Sequence, residues 1–287
     1  MSRIRILPQH VANKIAAGEV VERPASVVKE LLENALDAGA HTVRVETEAG
    51  GRRMIRVSDD GCGMAHDDAL LAFERHATSK LRTADDLLSI ETLGFRGEAL
   101  PSIAAVSRLL LETRAAEEEE GTRIEFAGGK LVGVKPAGLP AGTTVSVADL
   151  FYCVPARRKF LKSDTTELGH IASLVTHYAL ANPDKHFVLK SPTQDIVDAA
   201  PAANLTDRVY QLFGRQVLDE LVGTGQPAIS DNVCNQNCCE FPGLGHGSPS
   251  PQGRLPQTPH RRARVMSIHC TERRCPSDRS PSEPKRA

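Results

Sequence analysis

A helix followed directly by two strands limits the fold of this chain more than any other feature of its sequence. Over residues 25–38, apolar side chains recur at helical spacing, and they end at Gly39. Residues 42–48 and 53–58 then alternate between apolar and polar side chains, with Gly50-Gly51 as the turn between them. Such elements bury their apolar sides only against one another, so the sequence predicts helices layered on one face of a sheet.

The same alternation of elements continues to about residue 230. Helices are predicted at 67–74, 98–106 and 164–181, and strands at 107–113, 122–126, 131–135, 143–149 and 186–190. Residues 75–97 lack periodicity and are predicted to form a long loop. The fold class is therefore α+β, an α/β sandwich with a mixed sheet.

The composition changes near residue 231. Beyond it lie eight of the 18 prolines and five of the seven cysteines, with almost no periodicity. We expect residues 232–287 to be disordered, because they cannot bury enough apolar surface to offset their chain entropy. A shifted reading frame is our hypothesis for this composition. A zinc site among Cys234, Cys238, Cys239, His246, Cys270 and Cys275 is the less favoured alternative, because no second cysteine pair of matching spacing follows.

Charge and hydropathy exclude some classes of function. The formal net charge of -1 argues against binding of polyanions by the whole surface, so any contact with nucleic acid requires a local basic patch. No apolar stretch approaches the roughly 18 residues of a membrane span, and the first residues lack the apolar region of a secretory signal. We therefore expect a cytoplasmic protein with no membrane partner.

The first motif whose side chains could take part in a reaction lies on the helix at 25–38. Glu30 and Asn34 are one turn apart and share a face, and Glu33 and Asp37 share the neighbouring face. A carboxylate beside a carboxamide suits a base that activates water next to a Mg²⁺ ligand. A solvated acidic face is the alternative, and this motif alone favours it.

Three further motifs follow in order. Residues 59–63 place two aspartates and two glycines after a strand, residues 94–100 enter a helix through glycines, and residues 142–144 open a strand with Gly-Thr-Thr. Glycine-flanked amides at a helix start suit phosphate, and an aspartate at a strand end suits an exocyclic amine. Each motif has an ordinary structural alternative, namely a turn, a helix start or a strand start. No Walker sequence occurs, so a P-loop enzyme is excluded.

The order of these motifs resembles that of the GHKL ATPases, which include gyrase, histidine kinases and the MutL family. Residues 15–30, 75–80, 94–100 and 149–161 are similar to segments of the MutL family, and the resemblance covers residues 4 to about 222. It implies a GHKL-type (Bergerat) ATPase domain at 1–203. The start of an incomplete, ribosomal-protein-like second domain is expected at 204–231, followed by a tail at 232–287 unlike the family.

The resemblance also implies roles for individual residues. Glu30 would orient and deprotonate the attacking water, Asn34 would bind Mg²⁺, and Asp59 would bind the adenine amino group of ATP. Gly63 would let a lid pivot, and Thr144 would lie near the adenine. Lid contacts to the phosphates are implied for Thr78, Ser79 and Lys80 and for the backbone of Gly94, Phe95, Arg96, Gly97 and Glu98.

The function implied by the resemblance is a slowly hydrolysing, ATP-controlled switch in DNA mismatch repair. Binding of ATP would drive dimerisation of two N-terminal domains. The dimer would connect a MutS-type mismatch-recognition protein to a downstream nuclease or helicase. The alternatives are a nucleotide-binding interaction module that does not hydrolyse ATP and an inactive truncated fragment.

A short basic cluster suggests non-specific contact with DNA. Arg157, Arg158, Lys159 and Lys162 could bind phosphates in a salt-dependent way, and a solvated helix start is the equally weighted alternative. Tyr152 and Phe160, the aromatic residues beside them, are predicted to lie in the core rather than to stack on bases.

Overall fold

The computed structural model describes residues 17–18, 20–74, 77–80, 92–94 and 97–223, with side chains to residue 218. Phe95 and Arg96 lie outside this part, as does the whole predicted tail at 232–287 with its cysteines. Most of the loop predicted at 75–97 lies outside it too.

The elements alternate much as the sequence predicts. The helices are α1 (Pro24–Asp37), α2 (His66–Leu71), α3 (Ala99–Val106), α4 (Pro155–Arg158), α5 (Asp164–Ala181) and α6 (Leu205–Gly223), and a 3-10 turn spans Ala49–Gly51. The strands are β1 (Thr42–Glu48), β2 (Met54–Asp59), β3 (Arg108–Arg114), β4 (Gly121–Ala127), β5 (Lys130–Ala137), β6 (Gly142–Ala148), β7 (His186–Lys190) and β8 (Asp195–Ala199).

Within the described residues, eight strands form one sheet in the order β5-β4-β3-β6-β2-β1-β7-β8. β1 and β7 are parallel, whereas the other neighbouring pairs are antiparallel. The predicted mixed sheet of an α/β sandwich is therefore confirmed.

One row of buried side chains crosses seven of these strands in register. Because side chains alternate between the two faces of a sheet, residues paired across strands share a face. The row consists of Ile124, Leu111, Val145, Val57, Val45, Leu189 and Val197. It belongs to the same core as the buried residues of α1 and α5, so these two helices cover this face of the sheet.

Local signals explain the ends of the two covering helices. Pro24 begins α1, where a missing N–H has no consequence, and Gly39 lies just beyond its end with a φ of 73°. Ser163 precedes α5 and accepts a hydrogen bond from the backbone N–H of Thr166.

The prediction that Phe160 lies in the core is wrong. Its side chain is 81% exposed, because α4 is a single turn and the next residue, Leu161, packs against the core instead. Tyr152 is half-buried, and the guanidinium of Arg108 lies 4.8 Å from the centre of its ring. The five-residue strand β8 and the helix α4 are absent from the prediction.

Hydrogen bonds cap the start of α6 and connect it to the turn before β7. Asn204 accepts a hydrogen bond of 2.9 Å from the backbone N–H of Asp207 and so caps the helix. The buried guanidinium of Arg208 donates to the carbonyl oxygens of Pro183 and Lys185, which ties α6 to the turn before β7. Gly214, with a φ of 78°, interrupts the helix. That a second domain begins at residue 204 stays a prediction.

No helix in the described part of the chain is long and apolar enough to cross a membrane.

Candidate functional site

Helix α1 carries two acidic side chains that could act as a base, and they differ in their surroundings. Glu33 is only 8% exposed, and its Oε1 accepts a hydrogen bond of 2.6 Å from the hydroxyl of Tyr178 on α5. Its carboxylate also lies 3.6 Å from Nζ of Lys29. Glu30 and Asn34 are half-buried. Glu33 therefore serves the packing of α1 on α5, which leaves Glu30 as the acidic residue that shares a face with Asn34.

The C-terminal end of α1 binds two separate stretches of the chain, one at residue 80 and one at residues 93–94. Nζ of Lys80 lies 2.5 Å from Oδ2 of Asp37 and 3.2 Å from Oδ1 of Asn34. The backbone N–H groups of Leu93 and Gly94 donate to the two oxygens of Asp37, at 3.0 and 3.1 Å. Four of the residues that sequence reasoning singled out, Asn34, Asp37, Lys80 and Gly94, are thus brought together.

Asp59 ends β2 on the face covered by the helices. It continues the alternation of the buried Ile55 and Val57, so its carboxylate lies on their side of the sheet. Its Oδ1 accepts a hydrogen bond of 2.9 Å from the backbone N–H of Gly61. Burial raises the pKa of Asp59 to about 6, although the N–H of Gly61 acts in the opposite direction.

The turn after Asp59 is hydrogen-bonded to the loop that follows α1. The neighbouring Asp60 accepts hydrogen bonds from the backbone N–H groups of His41 and Thr42, at 2.7 and 2.8 Å. The N–H of Cys62 donates to the carbonyl oxygen of Ala38 at 3.0 Å. These bonds place Asp59 beside the same end of α1 that carries Asn34 and Asp37.

Two glycines allow the backbone to pack closely around this turn. Gly63 has a φ of 68°, and a Cβ added to it would overlap the carbonyl oxygen of Arg114. Gly142 has a φ of 121°, and a Cβ there would overlap the carbonyl oxygen of Asp59. Both positions therefore need glycine for sterics and for backbone conformation.

Thr144, the threonine that the resemblance assigns to the adenine, lies on the other face of the sheet. It pairs with Ser58, and its hydroxyl donates to the Ser58 hydroxyl at 3.0 Å. Thr143 pairs with Asp59 instead and shares its face. The hydroxyl of Thr143 lies 3.0 Å from that of the buried Thr113. A shift of one residue along a strand reverses the face, so Thr143, and not Thr144, lies on the face of Asp59.

Residues 77–80 and residue 97, which lie on either side of residues 81–91 in the sequence, also pack against each other. The Thr78 hydroxyl accepts a hydrogen bond of 3.1 Å from the backbone N–H of Lys80. A Cβ added to Gly97 would overlap the carbonyl oxygen of Ala77. Glu98 directly precedes α3, and Ser79 is exposed.

The predicted basic cluster divides into one inward and three outward side chains. Nη1 of Arg157 donates to the carbonyl oxygens of Gly18 and Val21, at 2.8 and 3.1 Å. Arg158, Lys159 and Lys162 are exposed. Arg157 therefore holds the segment before α1, and only the other three are available to a phosphate backbone.

The residues present fit a Mg²⁺ ion bound mainly by a ligand and water. Among the described residues there is no group of three or more His, Cys, Asp or Glu side chains suited to a metal. Asn34, however, offers an amide oxygen next to Glu30, and Mg²⁺ bound with phosphates needs only one or two protein ligands.

Sequence reasoning missed three residues of this site. It placed Asp37 on the helix and Thr143 in the Gly-Thr-Thr motif but gave neither a role of its own, and it overlooked Tyr178. Strict alternation from Val145 and Val147 back along β6 would have favoured Thr143 over Thr144. A contact between α1 and α5 leaves no local signal.

Comparison with known proteins agrees with this geometry. The family described as "Histidine kinase-, DNA gyrase B-, and HSP90-like ATPase" matches residues 22–131. The DNA mismatch repair protein MutL of Solibacter usitatus (strain Ellin6076) is 70% identical over 225 residues, which are 78% of this chain and 34% of that protein. MutL of Koribacter versatilis (strain Ellin345) is 64% identical over 222 residues, which are 77% and 34% of the two chains. This chain thus spans about a third of the length of these relatives.

A solved structure is similar in sequence and in fold. The Aquifex aeolicus MutL ATPase domain complexed with ADP is 37% identical, with a TM-score of 0.56. The match covers 68% of this chain and 70% of that one. The chain therefore belongs to the MutL family of DNA mismatch repair proteins, of which it carries the N-terminal GHKL-type ATPase region.

Proposed function

We propose that this chain binds ATP with Mg²⁺ and hydrolyses it slowly, as a switch controlled by nucleotide in DNA mismatch repair. The observation that carries the proposal is the meeting of three groups at one end of α1. The carboxamide of Asn34, the ammonium of Lys80 and the turn that holds Asp59 all lie there, joined through Asp37 and Ala38.

Recognition of the adenine is assigned to Asp59. Its carboxylate, which lies on the helix-covered face of the sheet, would accept a hydrogen bond from the exocyclic amine. Only an ionised carboxylate offers all of its lone pairs as acceptors, so the raised pKa of Asp59 matters for binding. Thr143 stands beside Asp59 on the same face and is proposed in place of Thr144. Gly63 keeps the turn compact.

Hydrolysis is assigned to Glu30 and Asn34. Phosphoryl transfer requires mainly positioning and neutralisation of charge, rather than covalent chemistry by the protein. Glu30 would orient and deprotonate the attacking water, and Asn34 would hold the Mg²⁺ that neutralises the phosphates. Lys80 and the backbone N–H of Gly94, which already bind a carboxylate, have the chemistry to bind phosphate oxygens. Thr78 and Ser79, together with the backbone of Phe95, Arg96, Gly97 and Glu98, are proposed as further phosphate contacts.

The switch itself is proposed by family membership. Two copies of this domain would dimerise with ATP bound and separate after hydrolysis, which is how a γ-phosphate commonly biases a two-state element. In repair, the ATP-bound state would connect a MutS-type recognition protein to a downstream nuclease or helicase. The relatives named above are mismatch repair proteins, which supports this role. We place the switch in the bacterial cytosol as part of the proposal.

Contact with DNA is proposed for the exposed cations Arg158, Lys159 and Lys162, which we call the basic patch. Arg157 is left out, because its guanidinium is bound to backbone carbonyl oxygens. The exposed ring of Phe160 lies between these cations in the sequence and would add contact with unpaired bases. Binding through the patch would depend strongly on salt and little on sequence.

The experiment that tests the ATPase proposal is Mg²⁺-dependent binding and turnover of ATP by the purified chain. Glu30→Ala is expected to bind ATP without hydrolysing it, and Asp59→Ala is expected to lose binding. Asp198→Asn, which alters an exposed carboxylate paired with His186, serves as the control and should match the wild type. A wild-type chain that does not bind ATP contradicts the proposal, whereas binding without turnover favours a nucleotide-binding interaction module.

A further inference from the structure

Three hydrogen-bond donors converge on the single carboxylate of Asp37. Oδ2 accepts from Nζ of Lys80 at 2.5 Å and from the backbone N–H of Gly94 at 3.1 Å. Oδ1 accepts from the backbone N–H of Leu93 at 3.0 Å. The donors come from two stretches of chain, and one carboxylate at the end of α1 therefore bridges both.

These three donors form a site suited to an anion. One ammonium group and two consecutive backbone N–H groups are a combination that commonly binds phosphates and carboxylates. The site is also shielded from water, since the side chains of Asp37 and Lys80 are only 9% and 19% exposed. Shielding strengthens the attraction between the charges.

Gly94 lies at the centre of this anion site. A Cβ added there would lie 3.3 Å from Nζ of Lys80, and 3.8 Å from both Oδ1 of Asn34 and Oδ2 of Asp37. Lys80 also donates to Asn34 at 3.2 Å. One of the donors that hold Asp37, the ammonium of Lys80, is therefore in direct contact with the amide oxygen proposed above as the Mg²⁺ ligand.

Asp37 and a nucleotide phosphate compete for the same donors if Lys80 and Gly94 bind phosphate. Two anions within contact distance of one ammonium group repel each other strongly in a shielded site. The carboxylate must then leave the donors before a phosphate can take them.

We propose that the Asp37 carboxylate occupies the phosphate position of the nucleotide-free site, so that nucleotide binding is an exchange of one anion for another on Lys80, Leu93 and Gly94. This inference rests on the proposed function. It gives Asp37 a part in nucleotide specificity, because a ligand without an anionic group at this position cannot displace the carboxylate.

The exchange lowers the net affinity for nucleotide, since the contacts of Asp37 are lost when those of the phosphate form. Removing the carboxylate should therefore strengthen binding. For hydrogen bonds to a charged group, the expected gain in affinity is about tenfold.

The test measures the affinity of ADP and of inorganic pyrophosphate for the wild type, Asp37→Asn and Asp37→Ala, with Asp198→Asn as the control. The inference expects both Asp37 variants to bind both ligands about tenfold more tightly than the wild type. The control should bind them as the wild type does. Unchanged or weaker binding by folded Asp37 variants overturns the inference, because Asp37 would then organise the site rather than compete for it.

Hydrogen exchange on the wild type gives a second readout that needs no variant. The backbone N–H groups of Leu93 and Gly94 should exchange slowly without nucleotide and remain slow with ADP. Fast exchange without nucleotide overturns the inference even if both Asp37 variants fail to fold. If the wild type binds neither ligand, the proposed function fails. If the wild type binds them but the Asp37 variants bind no more tightly, only the proposed exchange fails.

Discussion

The hydroxyl of Tyr178 donates a hydrogen bond of 2.6 Å to the carboxylate of Glu33, joining helix α5 to helix α1. Burial and the charge of Glu33 raise the pKa of Tyr178 far above its ordinary value, so the hydroxyl keeps its proton at every physiological pH. Glu33 directly precedes Asn34 in α1. The contact therefore restrains the rotation of the helix that presents Glu30 and Asn34.

Removal of this hydroxyl should weaken both the fold and the reaction. Tyr178→Phe leaves a buried carboxylate short of a donor, which should lower the free energy of unfolding by about 1–3 kcal/mol. Because α1 is then less restrained, kcat for ATP should fall more than KM changes. Urea unfolding and steady-state kinetics measure the two effects. Tyr210→Phe, at an exposed position on α6, is the matched control and should change neither.

The adjacent carboxylates of Asp59 and Asp60 should affect the free energy of unfolding with opposite dependence on pH. At neutral pH, the carboxylate of Asp59 is the one that destabilises the fold. Burial raises its pKa from 3.8 to about 6, so the folded state holds a proton that the unfolded state releases. Stability from this group is present below pH 3.8 and is lost as the pH rises through about 6. Asp59→Asn should therefore raise the free energy of unfolding at pH 7.5, by roughly 2–3 kcal/mol at most. The gain should vanish near pH 4.

Asp60 is the matched control for that prediction. Burial alone would raise its pKa, but the backbone N–H groups of Thr42 and His41 lower it overall. Its contribution to stability is therefore present at neutral pH and is lost as the pH falls through the lowered value. Asp60→Asn should destabilise the fold at pH 7.5. Denaturant unfolding across pH 4–8 gives both curves, and the same sign for the two variants at pH 7.5 would falsify the pKa assignments.

The segment before α1 should depend on a single guanidinium. Arg157→Met removes the donor to the carbonyl oxygens of Gly18 and Val21, and Gly18→Ala introduces a methyl group that displaces the same guanidinium. Each should lower the free energy of unfolding by about 1–3 kcal/mol. The double variant should be no less stable than the worse single variant, since both remove one interaction. Fully additive losses would show that the two residues act independently, and Arg158→Met should have little effect.

The basic patch should determine binding of single-stranded DNA. Reversal of charge in the variant Arg158→Glu with Lys159→Glu should weaken binding of a fluorescent oligonucleotide at low salt by at least about tenfold. Phe160→Ala should weaken it further, and more for single than for double strands, because unpaired bases stack on aromatic rings. Lys190→Glu lies outside the patch and is the control. If the charge-reversed variant binds as the wild type does, DNA contacts another surface.

Most secondary structure could be predicted because its pattern is local. The bounds predicted for β1, β7 and α5 agree with the structure, since alternation and helical spacing extend over the full length of each element. β8 is different. It has five residues, two of them aspartates, and it is defined by its pairing with β7 rather than by its own pattern.

The sequence by itself determined which residue types lie on which elements, and through them the family. Only the tertiary structure decided which of the candidate residues lie together. It buries Glu33 against Tyr178 and leaves Glu30 beside Asn34, and it turns Arg157 inward. It also puts Thr143, rather than Thr144, on the face of Asp59. Local periodicity indicates that neighbouring side chains point in different directions. Which of these directions faces another element depends on strand register and helix packing, and both involve residues far apart in the chain.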